Sequence, residues 1–124
     1  VQAAINALND GCDFVFLHVE ASDEAGHEGD YDLKKRTIEM LDEKVCKPIL
    51  EAIKTMEEPV SIAVLPDHPT PCAIRTHSSN PVPFMIYRPD VVPDDVQEMS
   101  ECTAENGYYG ILSKDEFIKE FLKK

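Results

Sequence analysis

Residues 14–17 read Phe-Val-Phe-Leu, apolar on four successive positions, and this run constrains the fold more than any other feature of the chain. A strand with one wet face alternates apolar and polar residues. A strand that is apolar on both sides must be covered on both sides, which is the situation inside a parallel sheet. Asp13 to Val19 is therefore read as a buried strand, and Val60 to Leu65 and Val82 to Tyr87 repeat the signal. Between the first two, Leu33, Ile38, Leu41, Val45, Ile49, Ile53 and Met56 recur at helical spacing, with Asp30 or Asp32 as N-cap and Pro48 as a kink or break.

The chain opens on Ala3, Ala4, Ile5, Ala7 and Leu8, a helical pattern that Asn9-Asp10-Gly11 would stop, with Gly11 free to turn left-handed. It closes on Phe117, Ile118, Phe121 and Leu122 behind Ser113 and Glu116, which have the form of a capping box. Strands separated by helices predict an α/β fold, in which ligands bind beyond the C-terminal ends of the strands. Three buried strands with few helices make a thin sheet that leaves apolar faces and edges open. The sheet is expected to be incomplete, and a chain that begins inside a helix is expected to be cut from something longer.

Charge narrows the choice of partner. With 24 acidic against 12 basic side chains the formal charge is -12, and no basic block is longer than Lys34-Lys35-Arg36, so neither nucleic acid nor an anionic membrane is an expected partner. Cations are. No apolar stretch reaches the roughly 20 residues needed to span a bilayer, and no signal peptide is legible. Cys12, Cys46, Cys72 and Cys102 lie far apart without a C-x-x-C pair, which reads as reduced thiols in a cytoplasmic protein.

Of the four histidines, His18, His27, His68 and His77, three fall in the segments after the first two predicted strands. The first of these segments, residues 22–30, reads as a loop that places Asp23 four residues before His27 and turns at Gly26 and Gly29. The second, Pro66-Asp67-His68-Pro69-Thr70-Pro71, is stiffened by three prolines and sets a carboxylate beside an imidazole, and His77 follows nine residues after His68. Each pair alone is an ordinary cap or turn. Together, in an acidic chain poor in histidine, they form a mixed nitrogen and oxygen ligand set suited to zinc or manganese, with more donors than one closed tetrahedral site needs.

The run from His18 through Asp23 and His27 to Asp30, the Pro66–Pro71 segment, and Thr76-His77-Ser78-Ser79-Asn80 through Phe84 resemble, in order and spacing, the archaeal-type cofactor-independent phosphoglycerate mutases. The likeness runs from the opening helix to Tyr108-Tyr109-Gly110 and the last helix. It implies an alkaline-phosphatase-like fold, three-layer α/β/α with a mainly parallel sheet, of which residues 1–124 would be an incomplete C-terminal segment. It implies a binuclear site for two divalent ions (Mn2+, Zn2+, Co2+ or Mg2+) in which Asp23, His27 and His77 hold one ion while Asp67 and His68 help hold the other. In the family the nucleophilic serine and a further Asp lie near the N-terminus of the full enzyme, ahead of an inserted substrate domain. Ser22, Ser61, Ser78, Ser79, Ser100 and Ser113 do not have that context and read as loop, strand, turn or cap residues.

The reaction the resemblance implies is the interconversion of 3-phosphoglycerate and 2-phosphoglycerate through a phosphoserine, without 2,3-bisphosphoglycerate. The isolated segment is expected to bind metal weakly at most and to be inactive, and the oligomeric state is open. Kinship of fold leaves two rivals: another phosphoryl- or phosphonate-processing enzyme, such as a homoserine kinase-like protein, or a non-catalytic metal-binding domain. Around the ligands, His18 reads as a buried, satisfied histidine. Arg75 is a candidate to face phosphate or a carboxylate, and Lys34 reads as part of a solvated face or as a balance to the ligand charge.

Overall fold

The structure, a computed structural model, describes residues 1–123. They gather into two compact units, Val1–Pro59 with Thr70–His77, and Val60–Pro69 with residues 78–123.

The first unit is helical. Helix α1 (Gln2–Asn9) ends as its sequence predicts, with Gly11 at φ 90° and the Cys12 amide donating to the Ala7 carbonyl at 3.0 Å. Helix α2 (Ala21–Glu28) occupies the stretch read from sequence as a glycine-turned loop, and that expectation is corrected here. Gly26 lies inside the helix. Gly29 is its left-handed cap at φ 73°, so only one of the two glycines does what a turn would require. Helix α3 (Tyr31–Leu41) starts at Asp30, whose carboxylate accepts from the Leu33 amide at 2.8 Å.

Pro48 does not break the long helix. A π-helical turn, Asp42–Cys46, precedes helix α4 (Lys47–Ile53), and the backbone stays right-handed helical on both sides of it. The missing N–H of the proline falls just where the π-helical turn gives way to α4, and the wider turn absorbs the mismatch. Helices α2 and α3 pack together, as do α1 and α4.

Residues 13–19 depart from expectation. They join no ladder among the described residues, and Phe16 is 78% exposed. An apolar run becomes a strand only where another strand takes up its N–H and C=O groups in a ladder, and among the described residues no strand pairs with this one. His18 is accordingly not buried. Its side chain is 47% exposed, stacks on Phe16 and lies 3.8 Å from Glu20.

The second unit holds the sheet, strand β1 (Ile62–Val64) against strand β2 (Met85–Tyr87), with Ala63 opposite Ile86. The pair is antiparallel, where sequence predicted parallel strands, and no three-layer sheet forms among the described residues. A parallel pair needs a crossover, usually a helix, to bring the chain back to the same end. Residues 65–84 contain turns and no helix, so the chain simply returns.

Beside the strands, Phe84 contacts Tyr109 and Phe117 edge-on or tilted, at centroid distances of 5.6 and 5.3 Å. Arg88 binds the Tyr109 hydroxyl at 2.7 Å and the Glu120 carbonyl at 2.5 Å, tying the end of helix α6 (Glu116–Phe121) to the rings. Half of the expected Ser113–Glu116 box forms, the Ser113 amide donating to the Glu116 carboxylate at 2.6 Å. The full box is at Ser100 and Thr103, opening helix α5 (Glu101–Ala104). No helix among the described residues is long and apolar enough to cross a membrane.

Candidate metal centre

Helix α2 sets Asp23 and His27 one turn apart on a single face. His77 comes to them from the far end of the same unit, where the turn after Pro71 is closed by the Arg75 amide donating to the Pro71 carbonyl at 3.0 Å. The three donors converge. His27 Nε2 is 3.1 Å from His77 Nε2 and 3.4 Å from Asp23 Oδ2, and His77 Nε2 is 3.5 Å from Asp23 Oδ1. Ligands bound at about 2.0–2.1 Å around a tetrahedral ion lie about 3.3 Å apart, so these spacings fit three corners of such a shell. Among the described residues this is the one group of three or more potential metal-ligating side chains that gathers so closely. Its members are one-third to one-half exposed, which leaves the fourth corner open to solvent or substrate.

The ring of His27 is oriented from behind. Its Nδ1 donates to the Arg75 carbonyl at 3.1 Å, and because a carbonyl only accepts, the proton is on Nδ1 and the Nε2 lone pair faces the other two ligands. Arg75 presents that carbonyl from a left-handed backbone at φ 52°, a conformation unfavourable for a residue with a Cβ. Sequence reading placed the value of Arg75 in its guanidinium. The structure places it in the main chain.

Asp23 is held as well. The Thr70 hydroxyl donates to Asp23 Oδ1 at 2.5 Å, and the Thr70 carbonyl accepts from Lys34 Nζ at 2.6 Å. Thr70 is 3% exposed and was missed from sequence, where it passes for a spacer between two prolines. Lys34, expected on a solvated face, is part-buried in this contact.

Asp67 and His68 lie in the second unit and pair with each other. The Asp67 carboxylate accepts from the His68 amide at 3.0 Å, and its other oxygen is 3.4 Å from His68 Nε2. The site residues expected from sequence thus divide into a gathered triad in the first unit and a pair, adjacent in sequence, in the second.

Curated proteins named 2,3-bisphosphoglycerate-independent phosphoglycerate mutase are 44% identical over 99% of this chain in Methanosarcina mazei and 46% identical over 98% of it in Methanosarcina barkeri. The chain spans 31% and 30% of their lengths. The solved structure of the PH0037 protein from Pyrococcus horikoshii superposes with a TM-score of 0.80 at 38% identity, covering 88% of this chain and 32% of that one. Residues 1–114, most of the chain, match the model of the Metalloenzyme superfamily, and the chain belongs to that superfamily.

Proposed function

We propose that this chain is the C-terminal, metal-holding segment of a cofactor-independent phosphoglycerate mutase, whose complete protein interconverts 3-phosphoglycerate and 2-phosphoglycerate by way of a phosphoserine. The observation that carries the reading is the Asp23, His27 and His77 triad, with ligand-like spacing and its imidazole already oriented. The names of the relatives and the share of their length that the chain spans support it further.

In this reading Asp23, His27 and His77 hold one divalent ion, and Asp67 and His68 contribute to a second. Bound ions would supply positive charge for the phosphoryl oxygens and acidity for the attacking hydroxyl. The chain's own residues act as ligands and orienters. Asp23 offers a carboxylate oxygen, His27 an Nε2 whose tautomer Arg75 fixes, and His77 an Nε2 within 3.5 Å of both. The serine nucleophile, the remaining ligands, the inserted substrate domain and the rest of a three-layer, mainly parallel sheet belong to the N-terminal part of the protein. The setting is cytoplasmic.

The test is an assay of the complete protein on 3-phosphoglycerate with Mn2+, beside this chain alone. Formation of 2-phosphoglycerate by the complete protein and none by the chain is the expected result. An inert complete protein overturns the mutase reading, and turnover by the chain alone overturns its role as a ligand-bearing segment.

A further inference from the structure

We propose that Thr70 is the positioning residue for Asp23, holding its carboxylate in the orientation that serves the metal. This rests on the metal reading above. Three features of the first unit converge on it. The Thr70 side chain is buried at 3% exposure, and its hydroxyl donates to Asp23 Oδ1 at 2.5 Å. With Oδ1 tied, the carboxylate cannot turn about its own axis, and both oxygens keep their distances of 3.4 and 3.5 Å to the two imidazoles.

Thr70 is itself fixed. Its carbonyl accepts from Lys34 Nζ at 2.6 Å, and the prolines on either side restrict its backbone. Finally, α2 makes room for it. A Cβ on Gly26 would fall 2.5 Å from the Thr70 carbonyl oxygen and 2.9 Å from its Cγ2, so the helix that carries two of the ligands admits Thr70 only because residue 26 is glycine. Loss of such a support around a metal ligand weakens binding by about 10–100-fold.

The experiment titrates this chain with Mn2+ alone, reading free Mn2+ by electron paramagnetic resonance, for wild type, Thr70→Val, Thr70→Ser and Asp23→Asn. The 13C shift of the Asp23 carboxylate is recorded without metal, and thermal unfolding monitors the fold. Thr70→Val, which keeps the shape and loses the hydroxyl, is expected to weaken Mn2+ binding at least about tenfold and to move the Asp23 shift. Thr70→Ser is expected to stay within about threefold of wild type, since the hydroxyl is retained.

Valine binding as tightly as threonine, with Asp23→Asn still impaired, overturns the role of Thr70 and leaves the metal reading standing. Serine as poor as valine overturns it too, because the methyl packing would then be what matters. Wild type that binds no Mn2+, or Asp23→Asn that binds like wild type, overturns the metal reading and this inference with it.

Discussion

The two units of the chain are held by opposite means. Around α2 the first unit is organised by polar contacts that end on metal-ligand candidates: Lys34 to Thr70, Thr70 to Asp23, and Arg75 to His27. The second is organised by rings, with Phe84, Tyr109 and Phe117 in contact and Arg88 fastening them to the end of α6. Polar networks specify where a few atoms sit, whereas aromatic clusters supply burial with looser demands on orientation. The polar contacts of the first unit therefore converge on the triad, while those of Arg88 in the second serve to fasten a cluster of rings.

That contrast can be broken from either side. The largest expected effect is on metal affinity. His27→Ala should weaken Mn2+ binding by about a hundredfold or more through loss of a ligand, while near-ultraviolet circular dichroism from the second unit's tyrosines stays unchanged. Retained affinity would dissolve the triad as a functional unit. Gly26→Ala should come next, destabilising the chain by about 1–3 kcal/mol in urea titration, because the new methyl collides with main chain that cannot swing aside, and it should loosen Mn2+ binding with it. Arg88→Ala should cost about 2 kcal/mol by removing charge-assisted bonds from a part-buried position. It should flatten the tyrosine dichroism and leave Mn2+ affinity alone.

The smallest effect sets one part-buried cysteine of the first unit against exposed ones in both units. Burial, and to a lesser degree the Asp42 carboxylate, push the Cys46 thiol above its ordinary range. Cys46 should therefore react with iodoacetamide at pH 8 several-fold more slowly than the exposed Cys12 and Cys102. The native state favours the protonated thiol, so this contribution to stability is present below the unfolded thiol's pKa of about 8.5 and is lost as pH rises through the higher folded value.

The triad was legible in sequence, though partly for the wrong reason. Asp23 and His27 were singled out by their spacing, but as loop residues, because Gly26 and Gly29 look like turn formers. Tertiary packing overrode that propensity: Gly26 stays in the helix to clear Thr70. The Asp30 cap and the left-handed Gly11 were readable because caps are decided within a few residues. Residues 13–19 were misread because apolar periodicity reports what a segment would bury and says nothing of whether a neighbour exists. Thr70 and the Arg75 carbonyl escaped notice because a lone hydroxyl and a main-chain oxygen leave no pattern in a sequence. What gives them meaning is a contact dozens of residues away.

The exposed side chains of Phe14, Phe16, Leu17 and Val19 also bear on how the chain behaves in a tube. An exposed apolar patch of this kind is a surface against which a second copy can pack its own. Opposing this is the charge of -12, which keeps copies apart at low ionic strength and is screened beyond about 8 Å at physiological salt. Turbidity in concentrated solutions should therefore rise with added sodium chloride, and the safest storage buffer for this acidic chain is a dilute one.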